Sequence, residues 1–217
     1  MSMSKAIHID FVSDVVCPWC VVGLGALQQA IANLGDEVAV TLAFKPFELN
    51  PDMPPEGQDI VEHIQQKYGS TPEQVAANRE HIRQRGAEVG FRFDMQARGR
   101  IYNTFDAHRL LHWAGLEGRQ LALKQGLLAA YFSEGRNPSD RAVLVDVAAA
   151  AGLNAEAARE VLESGRFAEE VREEEHFYTS HGIRSVPSVI LNGRHLISGG
   201  QPAEYFEQAI RQLVAAG

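Results

Sequence analysis

The chain has 217 residues, 45% hydrophobic and 22% charged, ordinary globular values that exclude wholesale disorder and leave room for one large domain or two small ones. Twenty basic against 28 acidic side chains give a formal charge of −8, which speaks against nucleic acid or an anionic membrane as a partner, because both require a basic face. Two cysteines in so long a chain exclude a small secreted disulfide scaffold.

Met1–Asp10 holds one Lys and no apolar run, so it lacks a signal-peptide pattern. No stretch reaches the roughly 18 uninterrupted apolar residues of a membrane span. The expected compartment is the cytoplasm, where thiols stay reduced.

Ile7–Val12 alternates and is β-branched, the pattern of a strand. A helical stripe of Val21, Leu24, Leu27, Ile31 and Leu34 follows, stopped by Gly35. Val38–Phe44 alternates again, so the first fifty residues form a βαβ unit with parallel strands. Pro46, Pro51, Pro54 and Pro55 then mark a boundary that neither helix nor central strand can cross. From Asp59 to Gly182 the strand signal vanishes and six or seven helices of 10–17 residues are expected. Thr71-Pro72-Glu73-Gln74 is a capping box with Pro at the first helical position; Asn103, Ser139 and Asn154 are further N-cap candidates. Gly69, Gly90, Gly115, Gly135, Gly152, Gly165 and Gly182 fit helix stops. The Arg-rich run Arg79–Arg100 and the Glu-rich run Glu169–Glu175 read as solvated helix faces. Ser188–Asn192 and His195–Ser198 form a hairpin turned by Asn192-Gly193. After Pro202 a last helix presents Tyr205, Phe206, Ile210 and Leu213 on its apolar face.

The outer pieces, 1–50 and 183–217, are each too small to bury a core alone. Pairing them in one sheet, with 51–182 as an all-helical insertion, gives an α/β fold of βαβ…ββα plan.

Cys17-Pro18-Trp19-Cys20 falls where the first strand gives way to the first helix. A Cys at a helix N-terminus meets unpaired N–H groups and the positive end of the dipole, which favour thiolate and can lower a thiol from about 8.5 to about 3.5–7.5. Pro18 lacks an N–H where none is needed. Cys17, at the exposed helix end, is the expected attacking sulfur, and Cys20, one turn in, the resolving one. Two other readings stand beside this: half a zinc site, completed by His108 and His112 at i, i+4, or a buried inert pair. His108 and His112 fit equally a helix surface or a satisfied core pair. Pro187, just before the Ser188–Leu191 strand, reads alone as a trans strand start. Gly23-Leu24-Gly25 is not a nucleotide loop, because Gln28 stands where the third Gly belongs.

Cys17-Pro18-Trp19-Cys20, Val186-Pro187, Asn192-Gly193, Pro46-Phe47-Glu48-Leu49-Asn50-Pro51 and Asn103-Thr104-Phe105-Asp106-Ala107-His108-Arg109-Leu110, in that fold order, resemble the thioredoxin superfamily, in its DsbA-like branch of the FrnE type. The resemblance covers essentially the whole chain. It implies a thioredoxin fold with a helical insertion, dithiol–disulfide exchange with protein or small-thiol substrates, and a cis Val186–Pro187 peptide that brings Pro187 beside Cys17. It implies no metal and no bound cofactor beyond a redox-active Cys17–Cys20 disulfide, with glutathione a candidate co-substrate. Val186 would offer its backbone to an extended substrate, and Trp19, Pro18, Asn50 and Asn103 would line the cleft. The Pro-Trp spacer departs from the Gly-Pro of thioredoxin and the Pro-His of periplasmic DsbA, so a strongly oxidising potential does not follow. The same branch holds kappa-class glutathione transferases and 2-hydroxychromene-2-carboxylate isomerases. These present Ser where Cys17 stands, and they offer the rival reading of a glutathione-dependent isomerase or transferase.

Overall fold

The computed structural model describes residues 5–216. Met1–Ser4 and Gly217, which the sequence pattern assigns to the outer pieces, lie outside the described residues.

The outer pieces do join in one sheet. Strand β1 (Lys5–Ser13) pairs in parallel with β2 (Val38–Pro46) across helix α1 (Pro18–Leu34). On its other edge β1 pairs antiparallel with β5 (Ser188–Leu191), which pairs antiparallel with β6 (His195–Ser198). The order is β2-β1-β5-β6. A central strand is flanked on both sides, and Phe11, Val12 and Ser13 at the end of β1 are fully buried. The β5–β6 turn is made by Asn192 and Gly193, both at positive φ (50° and 65°), the geometry that Asn-Gly suits. Asn192 also ties the hairpin to β1, since its Oδ1 accepts the His8 amide at 2.8 Å and its own amide donates to the His8 carbonyl.

Between the two halves lie α2 (Ile60–Tyr68), α3 (Pro72–Glu88), α4 (Phe105–Leu116), α5 (Gln120–Phe132), α6 (Arg141–Ala150), α7 (Ala155–Ser164) and α8 (Ala168–Ser180). Thr71 caps α3 with the full capping box, and Asn154 caps α7. The insertion is not all-helical. Strands β3 (Gln58–Asp59) and β4 (Arg100–Ile101) form a two-residue antiparallel ribbon, too short to leave an alternating pattern. Two caps sit one residue later than expected: Thr104 and Asp140, rather than Asn103 and Ser139, are the N-caps of α4 and α6. Gly115 lies inside α4 and is no stop. The positive φ that ends that segment belongs to Gly118.

Helix α9 (Ala203–Ala216) packs on α1 through Phe206 and Ile210. Tyr205, expected on its apolar face, is instead exposed, because Phe206, one residue on, takes the inward direction. The two glycines rejected as a nucleotide loop have a packing role. A Cβ on Gly25 would stand 2.7 Å from Val89 Cβ, and one on Gly23 would stand 3.0 Å from Pro187 Cγ. Helix α1 therefore touches the α3 segment at Gly25 and the Pro187 loop at Gly23 at closest approach.

Candidate active site

The chain leaves β1 into a buried turn at Asp14, and that residue organises the segments around the dithiol. Its backbone oxygen accepts the Cys17 amide at 3.3 Å. Oδ1 accepts the Val15 amide at 2.8 Å and stands 3.2 Å from His108 Nε2 on α4. Oδ2 accepts the Leu49 amide at 2.8 Å from the loop after β2. One residue thus pins the dithiol turn, the β2 loop and the helical insertion together. Burial acts to raise the Asp14 pKa, but the His108 hydrogen bond and charge, with the Leu49 amide, hold it below the ordinary carboxylate range.

Cys17 is the N-cap of α1, with φ −91° and ψ 114°, and Pro18 occupies the first turn. The Cys20 amide donates to the Cys17 carbonyl at 3.1 Å. Both cysteines are free thiols. The Cys17 thiol is held below its ordinary value, first by the hydrogen bond from the Cys20 thiol and then, against the effect of burial, by the Cys20 and Trp19 amides. The Asp14 charge opposes this. Cys20 goes the other way: burial and the hydrogen bond to Cys17 push it well above the ordinary thiol range. The acidifying groups thus include the helix amides expected from sequence, but the neighbouring thiol leads them.

Cys17 is not at an exposed end. It is only 4% accessible, because the 186–187 loop closes over it. Its Sγ lies 3.6 Å from the Val186 carbonyl oxygen, and the Val186–Pro187 peptide is cis. Val186 is half-buried and Pro187 buried against α1. Pro18 and Trp19 are half-buried at the rim. The Trp19 ring lies 5.5 Å from the His81 ring of α3, tilted at 54° to it, so a histidine reaches the dithiol rim although none stands in the Cys-x-x-Cys spacer.

The hydrogen bonds of Asn50 and Asn103 go to groups other than the sulfurs. Asn50 Oδ1 accepts from Lys67 Nζ at 2.7 Å, and the same ammonium donates to the Leu49 carbonyl. Asn103 Nδ2 donates to Glu48 Oε1 at 3.4 Å and to the Pro51 carbonyl at 3.3 Å, while its Oδ1 accepts the Phe105 amide. Both side chains brace the 48–51 loop, which Leu49 in turn ties to Asp14. A cleft of ≈ 440 Å³ opens beside this loop, with Asn50, Pro54, His63 and Lys67 among its walls.

The zinc reading is not supported. His108 faces Asp14, whereas His112 lies beside Glu174 at 3.7 Å and against the Phe167 ring. Among the described residues no three or more His, Cys, Asp or Glu side chains are grouped to hold a metal ion.

Sequence reasoning missed Asp14, His81, Glu48 and Lys124. Lys124 could have been found: it shares the i, i+3, i+4, i+7 stripe of Leu127, Leu128 and Tyr131, all buried, and a lysine on such a stripe is rarely buried without a purpose. Asp14 carried no such signal, because its partners come from Leu49 and His108, distant in sequence.

A dithiol at a helix cap beneath a cis-proline matches the DSBA-like thioredoxin domain, whose family model covers residues 8–211. The chain belongs to that family. DsbA-like proteins are thiol–disulfide oxidoreductases, and a general oxidoreductase or isomerase role follows. The chain is 28% identical over 205 residues, 94% of its length and 96% of the relative's, to the uncharacterized protein YwbO of Bacillus subtilis (strain 168). The crystal structure of a probable DsbA oxidoreductase from Streptomyces coelicolor superposes with a TM-score of 0.89 at 34% identity, covering 95% of this chain and 89% of that one. The cytosolic disulfide reductase DsbM from Pseudomonas aeruginosa, solved with GSH, shares the fold with a TM-score of 0.64 at 19% identity over 95% and 98% of the two chains.

Proposed function

We propose that this DsbA-like protein exchanges disulfides through Cys17 and Cys20, with protein or small-thiol substrates. The observation that carries the reading is the division of labour at the dithiol. One sulfur is kept acidic at the helix cap, and its neighbour is kept protonated and hydrogen-bonded to it. Cys17 attacks a substrate disulfide as the thiolate, releasing one substrate thiol and forming a mixed disulfide. Cys20 loses its proton and attacks the Cys17 sulfur, which frees the second substrate thiol and leaves a Cys17–Cys20 disulfide. The reverse sequence oxidises a substrate dithiol.

Pro187 and Val186 form the lip over Cys17, and Trp19 and Pro18 the rim on which a substrate segment would lie. Asn50 and Asn103 hold the 48–51 loop as the facing wall. This reading divides the chain into a discontinuous thioredoxin-like unit, 1–50 and 183–217, and an insertion, 51–182, that supplies the wall. Glutathione is the proposed small-thiol co-substrate, and DsbM, a disulfide reductase solved with GSH, is consistent with that. The proposed compartment is cytoplasmic; among the described residues no helix is long and apolar enough to cross a membrane.

Reduction of insulin by dithiothreitol, followed as turbidity, tests the exchange reading. The wild type should accelerate it and Cys17→Ala should not; equal rates would overturn the role of Cys17. The rival, a glutathione-dependent isomerase or transferase, needs no resolving thiol. It requires turnover of small electrophiles that persists in Cys20→Ser, whereas the exchange reading requires the insulin activity to collapse there.

A further inference from the structure

Pro18 starts α1, and the Trp19 amide helps to keep the Cys17 thiol acidic. Neither task uses the Trp19 side chain. An indole on the first turn of a helix, half out of water, has more than one staggered position open to it. Here it has a seat. A Cβ on Gly200 would stand 3.5 Å from Trp19 Cε3 and 3.2 Å from the Trp19 carbonyl oxygen, so the loop between β6 and α9 passes against the ring at a distance that suits glycine. The same ring meets the imidazole of His81 at 5.5 Å between centroids.

The parts of this seat are fastened to one another. The Gly199 amide donates to the Pro187 carbonyl at 2.8 Å, which ties the loop under the indole to the cis-proline beside Cys17. Arg85, one turn after His81 on α3, donates from Nη2 to the Gly200 carbonyl at 3.4 Å. Helix α3 therefore holds the indole with His81 and the loop with Arg85. The close contact of Val89 with Gly25 fixes how near α3 stands to α1. Trp19 thus joins the helical insertion, the dithiol helix and the cis-proline loop, and the rest of its ring is open to solvent two residues from Cys17.

Resting on the exchange reading, we propose that His81 is a positioning residue, which presents the Trp19 indole as a fixed apolar contact for the residue beside the substrate's reacting cysteine. The class of substrate this fits is a peptide or protein disulfide in which that neighbour is aromatic or a large aliphatic. The physical reason is preorganisation. A ring already held in place loses little freedom when a substrate packs on it, so more of the contact appears as affinity. A ring free to turn would return much of that gain as lost entropy. His81 acts through Trp19 and has no part in the sulfur chemistry, and its contribution is the ring, not a charge.

Two cyclic disulfide peptides, identical except for Phe or Ser beside the reacting cysteine, test this in steady-state reduction with dithiothreitol as the regenerating thiol. The wild type should favour the Phe peptide by about three- to tenfold in kcat/KM, the range that one aromatic contact supplies, with the difference in KM and kcat within about twofold. In His81→Ala the preference should fall below about twofold, and His81→Phe, which restores a ring without a titrating group, should recover it. Adding His81→Ala to Trp19→Ala should change nothing further, as expected of a residue that acts only through its neighbour. Trp113, the other tryptophan, is buried, so in a Trp113→Phe background the emission reports Trp19 alone. Acrylamide should quench it more strongly in His81→Ala than in His81→Phe. A wild type without preference, a preference kept in His81→Ala, or quenching equal in the two variants would overturn the proposal. Failure of the wild type to reduce either peptide above the dithiothreitol rate would instead overturn the exchange reading, so the two failures are distinct.

Discussion

Cys17 and Cys20 are three residues apart and chemically alike, yet their surroundings drive their acidities in opposite directions. The largest cause at Cys17 is the Cys20 thiol as hydrogen-bond donor, ahead of the helix amides. Removing that donor should therefore move the titration. In Cys20→Ala the ultraviolet thiolate absorbance of Cys17 should appear at higher pH than in Cys20→Ser, whose hydroxyl still donates. Identical curves for the two variants would show that the helix terminus alone sets the acidity. Asp14 shows the same principle with a carboxylate. Its folded pKa is lowered, so its contribution to stability is complete above the unfolded value of about 3.9 and is lost as pH falls through the lower folded value.

At the scale of elements, the site is an agreement among pieces that each have their own reason to form. Helix α1 forms because Pro18 starts it and Leu24, Leu27 and Leu34 bury one face. Its glycines then permit contacts that an ordinary helix would refuse. Gly25 lets Val89, just past α3, press against the α1 backbone, and α3 in turn brings His81 to Trp19. Gly25→Ala should cost roughly 1–3 kcal/mol by overpacking, read as a lower denaturation midpoint at unchanged slope. Trimming the neighbour in Gly25→Ala/Val89→Ala should recover part of that loss, a non-additivity expected of touching residues. Strict additivity would mean that the clash is relieved elsewhere.

Over the whole molecule, the insertion is fastened to the sheet half by charged groups as well as by apolar packing. Glu48, from the loop after β2, and Glu175, from α8, share Arg172, which lies over the Phe105 ring at 3.7 Å. Burial and the neighbouring Glu175 push Glu48 up to about 7, against the pull of Arg172. A carboxyl raised in the folded state binds more protons there than when unfolded. The fold is therefore penalised as pH climbs from about 4.3, the unfolded value, through about 7, and the penalty is complete above that. Glu48→Gln should accordingly melt higher than wild type at pH 8, with the gap shrinking toward pH 5. A gap independent of pH would show that Glu48 stays ionised throughout.

How much of this is legible in the sequence divides along physical lines. The βαβ and ββα ends, the Thr71 capping box, the Asn192-Gly193 turn and the cysteine pair at a helix start are local, and local sterics and hydrogen bonding write them into adjacent residues. The two-residue β3–β4 ribbon left no period to detect, and Tyr205 and Phe206, as neighbours, could each have claimed the inward face. Pro187, taken locally, was a trans strand start; the cis peptide followed only from family resemblance. By itself the sequence determined which residues carry sulfur and which backbone segments deliver them. Tertiary structure alone decided that the Val186 carbonyl covers Cys17, that Asp14 clasps Leu49 and His108, and that Lys124 is buried without a hydrogen-bond partner among the described residues. Those outcomes depend on burial and on charges meeting across long stretches of chain, where the energy of a group is set by what surrounds it rather than by what precedes it.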